Sequence, residues 1–322
     1  MHLVTGMAVL VTLAACNKTG PPEKIDLCQG GIITPLTLLA QEKGYYAKEG
    51  LELAFHPLGD GKLAMEAFLA DKCDAAVVAE PPIIAKTVAG ATSFNIIATV
   101  ATTDNATRIV ADRRRGISVA GNLKGKRLAA RKGNVTHYFL DLYLKQHEIR
   151  PDQLTIRFVE PAQLAEELVQ GKIDAYAASD IYLFEGIRRL GEHAVVLSEP
   201  GLSFNSSYLL VRKETLTKKP ELARKLLRAL LRAEARAARN PDEVIGFVAK
   251  RREISEQMAS DIVKQQRLAV TLHQHLLLTL DDHTAWMQDQ GMITSTVRPD
   301  YRTIINDSFL RELSPAAVTI VR

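Results

Sequence analysis

The sequence predicts an α/β protein of two lobes, joined by two hinge crossings and completed by a helical C-terminal part. The first observation is a repeat: EAFLADKCDAAVVAEPP at 66–82 aligns without a gap with EELVQGKIDAYAASDIY at 166–182. The second is a pair of apolar, strand-like segments at the same offset, 108–112 and 208–212. The third is a change of pattern after Lys213, beyond which helical periodicity dominates.

The repeat indicates where a ligand would bind. Each copy reads as a helix, a turn, an apolar strand and an acidic residue where the strand ends, Glu80 in one copy and Asp180 in the other. Ligands of open α/β sheets collect at the carboxyl ends of the strands. We therefore expect two lobes that face a shared cleft, with Glu80 and Asp180 on its opposite walls.

The first lobe is predicted at 24–107 and 211–322. Its first helix carries Leu36, Leu39 and Ala40 on one face, which is typical of a helix packed on a core. The elements predicted before the first crossing are a strand at 25–28, a helix at 35–42, a strand at 52–57, the helix and strand of the first repeat, a helix that follows Pro82 and runs to Ala89, and a strand at 95–100.

The second lobe is predicted at 108–210. The segments 108–112 and 208–212 lie just outside one lobe's set of elements, so we interpret them as the hinge strands at which the chain passes between lobes. The elements predicted inside this lobe are a strand at 127–130, a helix at 135–146, a strand at 155–158 and the helix and strand of the second repeat.

The C-terminal part is predicted to be helical and to return to the first lobe. Its first helix, Pro220 to Arg239, has leucines on one face and arginines at every fourth position on another. We interpret the arginines as a solvated face; a contact with lipid or a partner protein is the alternative. Further helices are predicted at 241–250, 256–266 and 276–290.

The first residues read as a targeting segment. The apolar run from Leu3 to Leu13 is too short to be a permanent membrane span. It leads into Leu-Ala-Ala-Cys, which resembles the bacterial lipobox, so residues 1–16 are predicted to be a lipoprotein signal peptide and Cys16 its lipidated residue. A plain secretory peptide is the alternative. Residues 17–23, which include Gly20-Pro21-Pro22, are predicted to be a flexible tether.

Two cysteines remain in the exported part of the chain. An exported context permits a disulfide. Cys28 is placed late in the first strand and Cys73 just before another strand. We expect this placement to keep the two residues apart, because bridging needs Cα atoms within ~7 Å. The prediction is two free thiols, packed as small apolar side chains.

Composition and motifs exclude several classes of function. The net charge is only +4 and no basic patch is interleaved with aromatic residues, so no nucleic-acid partner is expected. No hydrolase serine motif, phosphate-binding lysine loop or dinucleotide glycine pattern is present. His273, His275 and His283 are interpreted as a surface cluster, so we expect no metal and no other cofactor.

Three predicted strand-to-helix turns leave backbone N–H groups free for an anion. They begin at Gly31, at Gly59 and at Gly133. Asn134 and Thr136 add side-chain donors to the last of them. Glu80 and Asp180 could pair with a positive group of a ligand or cap the helices that follow them, and both interpretations stay open. Catalysis by this acidic pair is not expected, because its separation would change with every movement of the hinge.

These features resemble one known family, the periplasmic substrate-binding proteins of nitrate, sulfonate, taurine and thiamine-precursor ABC importers. The most recognisable stretch runs from Pro35 to Leu51 and contains AQEKGYYAKEGL. The opening of the second lobe, Leu123 to Arg127 with the turn 132–134, is also similar. The segment 171–175 and the tail from Trp286 to Gly291 fit as well, so the resemblance covers nearly the whole chain after the signal peptide.

The resemblance implies a two-lobe type II periplasmic-binding-protein fold without enzymatic activity. A small molecule would bind between the lobes, the hinge would close, and the closed form would deliver the ligand to a permease in the inner membrane. The protein would be a monomer in the periplasm or at the cell surface, held to the membrane through Cys16. The residues expected to bind ligand are Gly31, Ile32, Thr34, Asp60, Glu80, Pro81, Thr102, Gly133, Asn134, Val135, Thr136, Ser179, Asp180 and Asn205.

The sequence departs from the family at the two acidic positions. The family often has Gly or Ala at the position of Glu80, and an aromatic-acid-Pro sequence at Ser179-Asp180-Ile181. These departures argue against a simple oxyanion such as nitrate and favour a small polar organic ligand of the sulfonate, taurine or pyrimidine-precursor type. Two alternatives stay open: an enzyme similar to the pyrimidine-precursor synthases of this fold, and a lipoprotein that senses a ligand.

Overall fold

The computed structural model describes residues 21–30, 34–58 and 60–321. The predicted signal peptide, its Cys16 and most of the predicted tether lie outside these residues. So do Gly31 and Ile32 of the predicted site, and Gly59. Within the described residues, no helix is long and apolar enough to cross a membrane.

Ten strands form two five-stranded sheets, as expected for an α/β protein of two lobes. The first sheet has the order β2-β1-β3-β10-β4 and the second the order β7-β6-β8-β5-β9. We call the first sheet with the helices packed on it lobe 1, and the second sheet with its helices lobe 2. The strands are β1 Glu23–Gly30, β2 Leu51–Leu58, β3 Ala75–Val78, β4 Phe94–Thr103, β5 Arg108–Asp112, β6 Arg127–Ala130, β7 Thr155–Phe158, β8 Ala175–Ala178, β9 Ala194–Leu197 and β10 Asn205–Arg212.

Thirteen α-helices accompany these strands in the described part of the chain. Three predicted helices have the bounds that the sequence indicated, those at 35–42, 135–146 and 220–239. The helices are α1 Pro35–Glu42, α2 Tyr45–Lys48, α3 Gly61–Leu69, α4 Glu80–Val88, α5 Val135–Gln146, α6 Pro161–Val169, α7 Asp180–Leu190, α8 Lys213–Lys218, α9 Pro220–Arg239, α10 Pro241–Arg252, α11 Glu256–Lys264, α12 His275–Asp289 and α13 Ser308–Leu313.

The sequence repeat is also a structural repeat. In each sheet a central strand, β3 or β8, pairs in parallel with β1 or β6, two strands earlier in the chain, and antiparallel with β10 or β5. The antiparallel register is the same in both: Tyr208 lies opposite Val78, and Arg108 lies opposite Ala178. Tyr208 in lobe 1 and Arg108 in lobe 2 therefore occupy equivalent positions.

One aspartate in each copy binds the backbone of the neighbouring strand just before the pairing with the central strand begins. The Asp74 carboxylate accepts a hydrogen bond from the Asp26 backbone N–H at 2.9 Å, and the Asp174 carboxylate accepts one from the Arg127 N–H at 2.9 Å. In both copies the aspartate's own N–H donates to the carbonyl of that same residue, at 2.8 Å. The aspartate of the shared Asp-Ala dipeptide therefore makes the same two hydrogen bonds to the neighbouring strand in both copies of the repeat.

The C-terminal helices complete lobe 1, as predicted. Leu226, Leu227 and Leu230 on α9 are buried in the same core as β1, β3 and β4. The arginines on the opposite face of α9 form ion pairs within the chain: Arg228 Nε lies 2.6 Å from Glu49, and Arg236 Nε lies 2.7 Å from Glu243. These half-exposed ion pairs account for the arginine stripe without a lipid or a partner protein.

The chain passes between the sheets at 104–107 and at 198–204 within the described residues. The two connections touch, because Gly201 N–H donates to the Asp104 carbonyl at 3.2 Å. Each connection directly precedes a strand that the sequence indicated as a hinge strand. β5 belongs to the second sheet, and β10 pairs with β3 and β4 in the first.

The prediction of two free thiols is wrong. Cys28 and Cys73 form a disulfide, with Cα atoms 5.7 Å apart. Their placement along the strands was predicted correctly, but β3 lies directly beside β1 in the sheet. The segment that leads into β3 therefore runs along β1, and this neighbourhood brings Cys73 to Cys28.

Candidate functional site

The end of β1 and the first residues of α3 and α4 meet at one edge of lobe 1. Gly30 ends β1 and lies so close to Gly61 that a Cβ atom on Gly30 would be 2.3 Å from the Gly61 Cα. A Cβ atom on Gly61 would in turn lie 3.2 Å from Pro82 Cγ, just beyond Glu80 and Pro81. Only glycine allows the approach of the two backbones at Gly30. The end of β1 and the starts of α3 and α4 therefore lie side by side at this edge.

Asp60 joins this edge to lobe 2. Its Oδ1 caps α3 by accepting from the Leu63 N–H at 2.8 Å, and its Oδ2 lies 2.5 Å from Arg131 Nη2. Arg131 directly follows β6. Burial alone would raise the pKa of the Asp60 carboxyl, but the hydrogen bonds from Leu63 and Arg131 outweigh it and hold the pKa below its ordinary value. Asp60 is thus a negative charge that Arg131 already neutralises.

The turn at Gly133 is largely occupied by its own side chains. Asn134 caps α5: its Oδ1 accepts from the N–H groups of Thr136 and His137, and from the Thr136 hydroxyl at 2.8 Å. Gly133 has a φ of 73°, and its N–H donates to His137 Nδ1 at 3.4 Å. Asn134 and Thr136 therefore stabilise the helix start, and within the first turn of α5 the Val135 N–H is the donor left for an anion.

Thr34 is buried at the start of α1. Its hydroxyl lies 2.7 Å from the hydroxyl of Thr37 one turn further along the helix. The Thr37 hydroxyl also donates to the Thr34 carbonyl at 2.8 Å. The Thr34 side chain therefore acts within its own helix in this structure.

Glu80 is fully buried, in contrast to the cleft wall expected for it. It is the first residue of α4, and Oε1 accepts from the Ser206 N–H at 2.7 Å and from the Tyr208 hydroxyl at 2.9 Å. The other oxygen, Oε2, has no hydrogen-bond partner among the described residues. Burial raises the pKa of Glu80 to about 7, against the effect of these hydrogen bonds. The carboxyl group therefore titrates near neutral pH.

Asp180 is held by the other lobe. It has a φ of 57°, a left-handed conformation that few residues other than glycine adopt. Its Oδ1 lies 2.5 Å from Nη1 of Arg252 at the end of α10 in lobe 1. Burial raises the pKa of the Asp180 carboxyl, and Arg252 opposes that effect. Ser179, the residue before α7, makes no side-chain capping hydrogen bond.

The two connections between the sheets border a cavity of about 420 Å³. Thr102 lines it, with its hydroxyl 3.2 Å from that of Ser206. Tyr208, which donates to Glu80, lines it as well. Arg267, His273 and His275 contribute the basic side chains of its wall. Thr102 is the only one of the predicted binding residues within the described chain that borders this cavity.

Unpaired buried polar atoms concentrate at the two connections. Among the described residues, hydrogen-bond partners are missing for Asn105 Oδ1, Thr107 Oγ1, Asn205 Oδ1 and both Nε and Nη2 of Arg108. Glu80 Oε2 belongs to the same region, since Glu80 accepts from the residue after Asn205. Native proteins seldom leave such groups unpaired, so a ligand or ordered solvent is required to satisfy them.

Sequence reasoning missed Asn105, Thr107 and Arg108. It searched the turns that precede helices, whereas these residues lie in a connection that leads from strand to strand. One signal was present in the sequence: three polar side chains within four residues, between two apolar strands.

The interpretation of the histidines as a surface cluster is wrong for His283. Its ring is buried on α12, 4.0 Å from the ring of Tyr138 on α5. Burial lowers the pKa of His283 to about 3, so it is neutral at physiological pH. No group of three His, Cys, Asp or Glu residues placed to hold a metal occurs in the described part of the chain.

The two lobes are in contact in this structure. Besides the ion pairs of Asp60 and Asp180, Trp286 Nε1 on α12 donates to Asp141 Oδ2 on α5 at 2.7 Å. The unpaired groups at the connections are therefore enclosed between lobes that have come together.

Comparison with known proteins was made for sequence and for structure. The family described as NMT1/THI5 like matches residues 34–244. A putative aliphatic sulfonates-binding protein of Bacillus subtilis is 23% identical over 320 residues, covering 96% of each chain. The periplasmic aliphatic sulphonate-binding protein SsuA of Escherichia coli has a TM-score of 0.77 at 18% identity, covering 89% of this chain and 92% of its own. The periplasmic nitrate-binding protein NrtA of Synechocystis has a TM-score of 0.68 at 15% identity, covering 92% and 89% respectively.

Proposed function

The chain belongs to the NMT1/THI5-like family, and from that premise we propose that it is the extracytoplasmic solute-binding component of an ABC importer. The similar proteins include a putative aliphatic sulfonates-binding protein and periplasmic binding proteins for aliphatic sulphonate and for nitrate. In the proposed role the chain captures a small polar organic molecule between its lobes and delivers it to a membrane permease. It has no catalytic task.

One observation carries this proposal: within the described residues, six of the ten buried polar side-chain atoms without a hydrogen-bond partner lie at or beside the two connections between the lobes. Asn105, Thr107, Arg108 and Asn205 all stand in or next to these connections. A bound solute that satisfies such groups also stabilises the arrangement in which the lobes are together. Binding and closure are then one event, since a ligand shifts a conformational equilibrium by its difference in affinity for the two states.

The predicted binding residues fall into two groups in this proposal. In this proposal Thr34 and residues 133–136 lie at the mouth of the site, and Glu80 with Pro81, Thr102 and Asn205 forms its floor. Asp60 and Asp180 have cationic partners already, so their role is to hold the lobes together. That assignment favours a ligand with an anionic end, and Glu80 serves a second, donor-bearing end.

Export and anchoring are part of the proposal. The Cys28–Cys73 disulfide supports an oxidising compartment, because such bonds persist in exported proteins. We place the mature protein, as a monomer, on the outer face of the membrane that carries its permease, tethered through Cys16. The two lobes, predicted at 24–107 with 211–322 and at 108–210, are the units that move about the hinge in this proposal. Residues 205–210 move with lobe 1, because β10 pairs in the first sheet.

Calorimetric titration of the purified mature chain tests the binding role. The panel is ethanesulfonate, taurine, isethionate, nitrate, a hydroxymethylpyrimidine and a neutral sugar as control. We expect saturable 1:1 binding of one organic class, accompanied by compaction in small-angle scattering. Binding without compaction would contradict closure, and turnover of the bound compound would favour the enzyme alternative. A Cys16→Ala variant, expressed in a bacterial host, should leave the membrane fraction if the lipid anchor is correct.

A further inference from the structure

Arg108 presents an empty hydrogen-bonding edge between the lobes. It opens β5, directly after the first connection, and lies opposite Ala178 at the end of β8. Its guanidinium carbon is 5.7 Å from the centre of the Phe184 ring on α7. Nε and Nη2 are both buried, and neither has a hydrogen-bond partner in the described part of the chain.

Elsewhere in this protein, the same two donor atoms of an arginine, Nε and Nη2, bind the two oxygens of a carboxylate. In lobe 2, Arg127 donates from Nε at 3.0 Å and from Nη2 at 2.6 Å to the two oxygens of Asp174. Arg302 does the same to Asp300, at 2.8 and 3.0 Å. Two parallel N–H groups match the two oxygens of a carboxylate or of a sulfonate. The edge of Arg108 therefore has a defined chemical complement that the structure leaves unfilled.

Nearby acidic side chains do not fill it. Asp180 is bound to Arg252, and Asp112 at the other end of β5 is bound to Arg114 at 2.8 Å. Asp261 on α11 acts on Arg108 through its charge alone and forms no hydrogen bond with it. Burial lowers the pKa of the Arg108 guanidinium, and Asp261 only partly opposes this. The cation is therefore desolvated without a matching acceptor.

Lobe 1 shows what the equivalent position does. Tyr208, which corresponds to Arg108 in the repeat, directs its hydroxyl to Glu80 at the start of α4. The repeat thus places a donor at the same point of each lobe, next to the start of the helix that follows the central strand. In lobe 1 the acceptor is part of the chain. In lobe 2 no described residue accepts a hydrogen bond from Nε or Nη2 of Arg108.

We propose that Arg108 is the residue that recognises the anionic group of the ligand, and that this group is an oxyanion with two accessible oxygens, a sulfonate or a carboxylate. The inference rests on the proposed solute-binding function and names the ligand class for that site. Asn105 and Thr107, with acceptor atoms beside it, fit a ligand that also carries an amine or hydroxyl donor.

Matched probes separate the two oxyanions and the donor. Taurine and β-alanine differ only in sulfonate against carboxylate, and ethanesulfonate and propionate lack the amine. Ethanolamine keeps a donor but no anion. We expect at least one of the four anions to bind and ethanolamine not to bind. Affinity for ethanolamine or for a neutral pyrimidine, with none for the anions, would overturn the inference and leave the solute-binding function standing. No binding and no compaction with any probe would overturn both.

Substitution of Arg108 tests its role directly. Arg108→Lys keeps the charge and loses the two-point edge, so it should weaken the best anion about tenfold or more. The exposed Arg150→Lys in the same lobe is the control and should bind as the wild type does. Equal affinity in Arg108→Lys and the wild type would overturn the assignment.

A stability measurement distinguishes recognition from a structural role. Without ligand, Arg108→Met should keep or raise the Tm, because it removes a buried cation that makes no hydrogen bond. Arg127→Met should lower the Tm, because it breaks the pair with Asp174. A Tm that falls as far in Arg108→Met as in Arg127→Met would contradict a binding role.

Discussion

Asp180 and Arg252 form an ion pair that connects the first residue of α7 in lobe 2 with the last residue of α10 in lobe 1, with Nη1 and Oδ1 2.5 Å apart. The Arg252 side chain is 9% exposed and that of Asp180 is 25% exposed. The pair therefore exists only when the lobes are together. Asp60 and Arg131 make an equivalent contact at the other turn.

Asp180→Asn should shift the ligand-free protein towards an open arrangement. The substitution leaves Arg252 without its countercharge, and losing one partner of a buried pair typically costs about 3–5 kcal/mol, less where solvent reaches the pair as it does here. Small-angle scattering should show a larger radius of gyration. Affinity for the best ligand should fall, because closure has to be driven by binding alone.

Two controls isolate the pair in that experiment. Asp180→Gly also removes the carboxylate but relieves the left-handed backbone, so the same opening in both variants assigns it to the ion pair. Arg188→Ala, on the exposed face of the same helix, should leave the scattering unchanged. A wild-type radius of gyration in Asp180→Asn would show that the pair does not hold the lobes.

Glu80 should make the stability of the protein depend on pH. Burial raises its folded-state pKa to about 7, above the ordinary value of 4.5. The folded state then binds more protons than the unfolded state between these values, so the free energy of unfolding falls as pH rises from about 4.5 to 7. This difference between the two pKa values corresponds to a loss of about 3 kcal/mol in the free energy of unfolding.

Glu80→Gln should remove this dependence, since the amide oxygen can still accept from Ser206 and Tyr208. Urea unfolding at pH 5, 6, 7 and 8 is the measurement. The variant should match the wild type at pH 5 and exceed it in stability at pH 8. Parallel curves for the two proteins across this range would show that Glu80 is already ionised at pH 5.

The Cys28–Cys73 disulfide should contribute measurably to stability. It links residues 45 positions apart, and the loss of chain entropy in the unfolded state predicts a contribution of about 4 kcal/mol. Cys28→Ser with Cys73→Ser should lower the urea midpoint, as should reduction of the wild type with dithiothreitol. The double variant should not respond to dithiothreitol. A linked peptide in a non-reducing digest checks the bond itself, and its absence would restore the prediction of free thiols.

The repeat was readable from the sequence because its local patterns determine its local structure. Asp74 and Asp174 both precede an apolar strand, and both carboxylates bind the backbone of the strand beside it. The same local chemistry at the same spacing produces the same register. Helix α9 was equally readable, because its leucine face and its proline start define it without reference to the rest of the chain.

The order of strands in the sheets could not be predicted from the sequence. This explains why the disulfide of Cys73, the burial of Glu80 and the position of Arg108 were missed. Nothing within the sequence around Cys73 shows that β3 is the neighbour of β1. Arg108 looked like the polar first residue of a strand, and its importance arises only because α7 and lobe 1 bury it. Glu80 was predicted as a group on the cleft wall, but Ser206 and Tyr208 of β10, 126 and 128 positions further along the chain, bind its carboxyl group.

Trp286 should report closure through its fluorescence, because it is the only tryptophan of the chain and lies at the contact between the lobes. Its indole N–H donates to Asp141 on α5, and its ring packs on His137 and Tyr138 of the same helix. A hydrogen bond to a charged acceptor contributes about 1.5–3 kcal/mol. Asp141→Leu should therefore expose the indole in ligand-free protein, with red-shifted emission and stronger acrylamide quenching.

Asp152→Leu, at an exposed site of the same lobe, should change neither property. Saturating ligand should return Asp141→Leu towards the wild-type spectrum, because binding closes the lobes independently of this contact. Emission and quenching that are the same in Asp141→Leu and the wild type, with and without ligand, would show that α5 and α12 do not separate when the hinge opens.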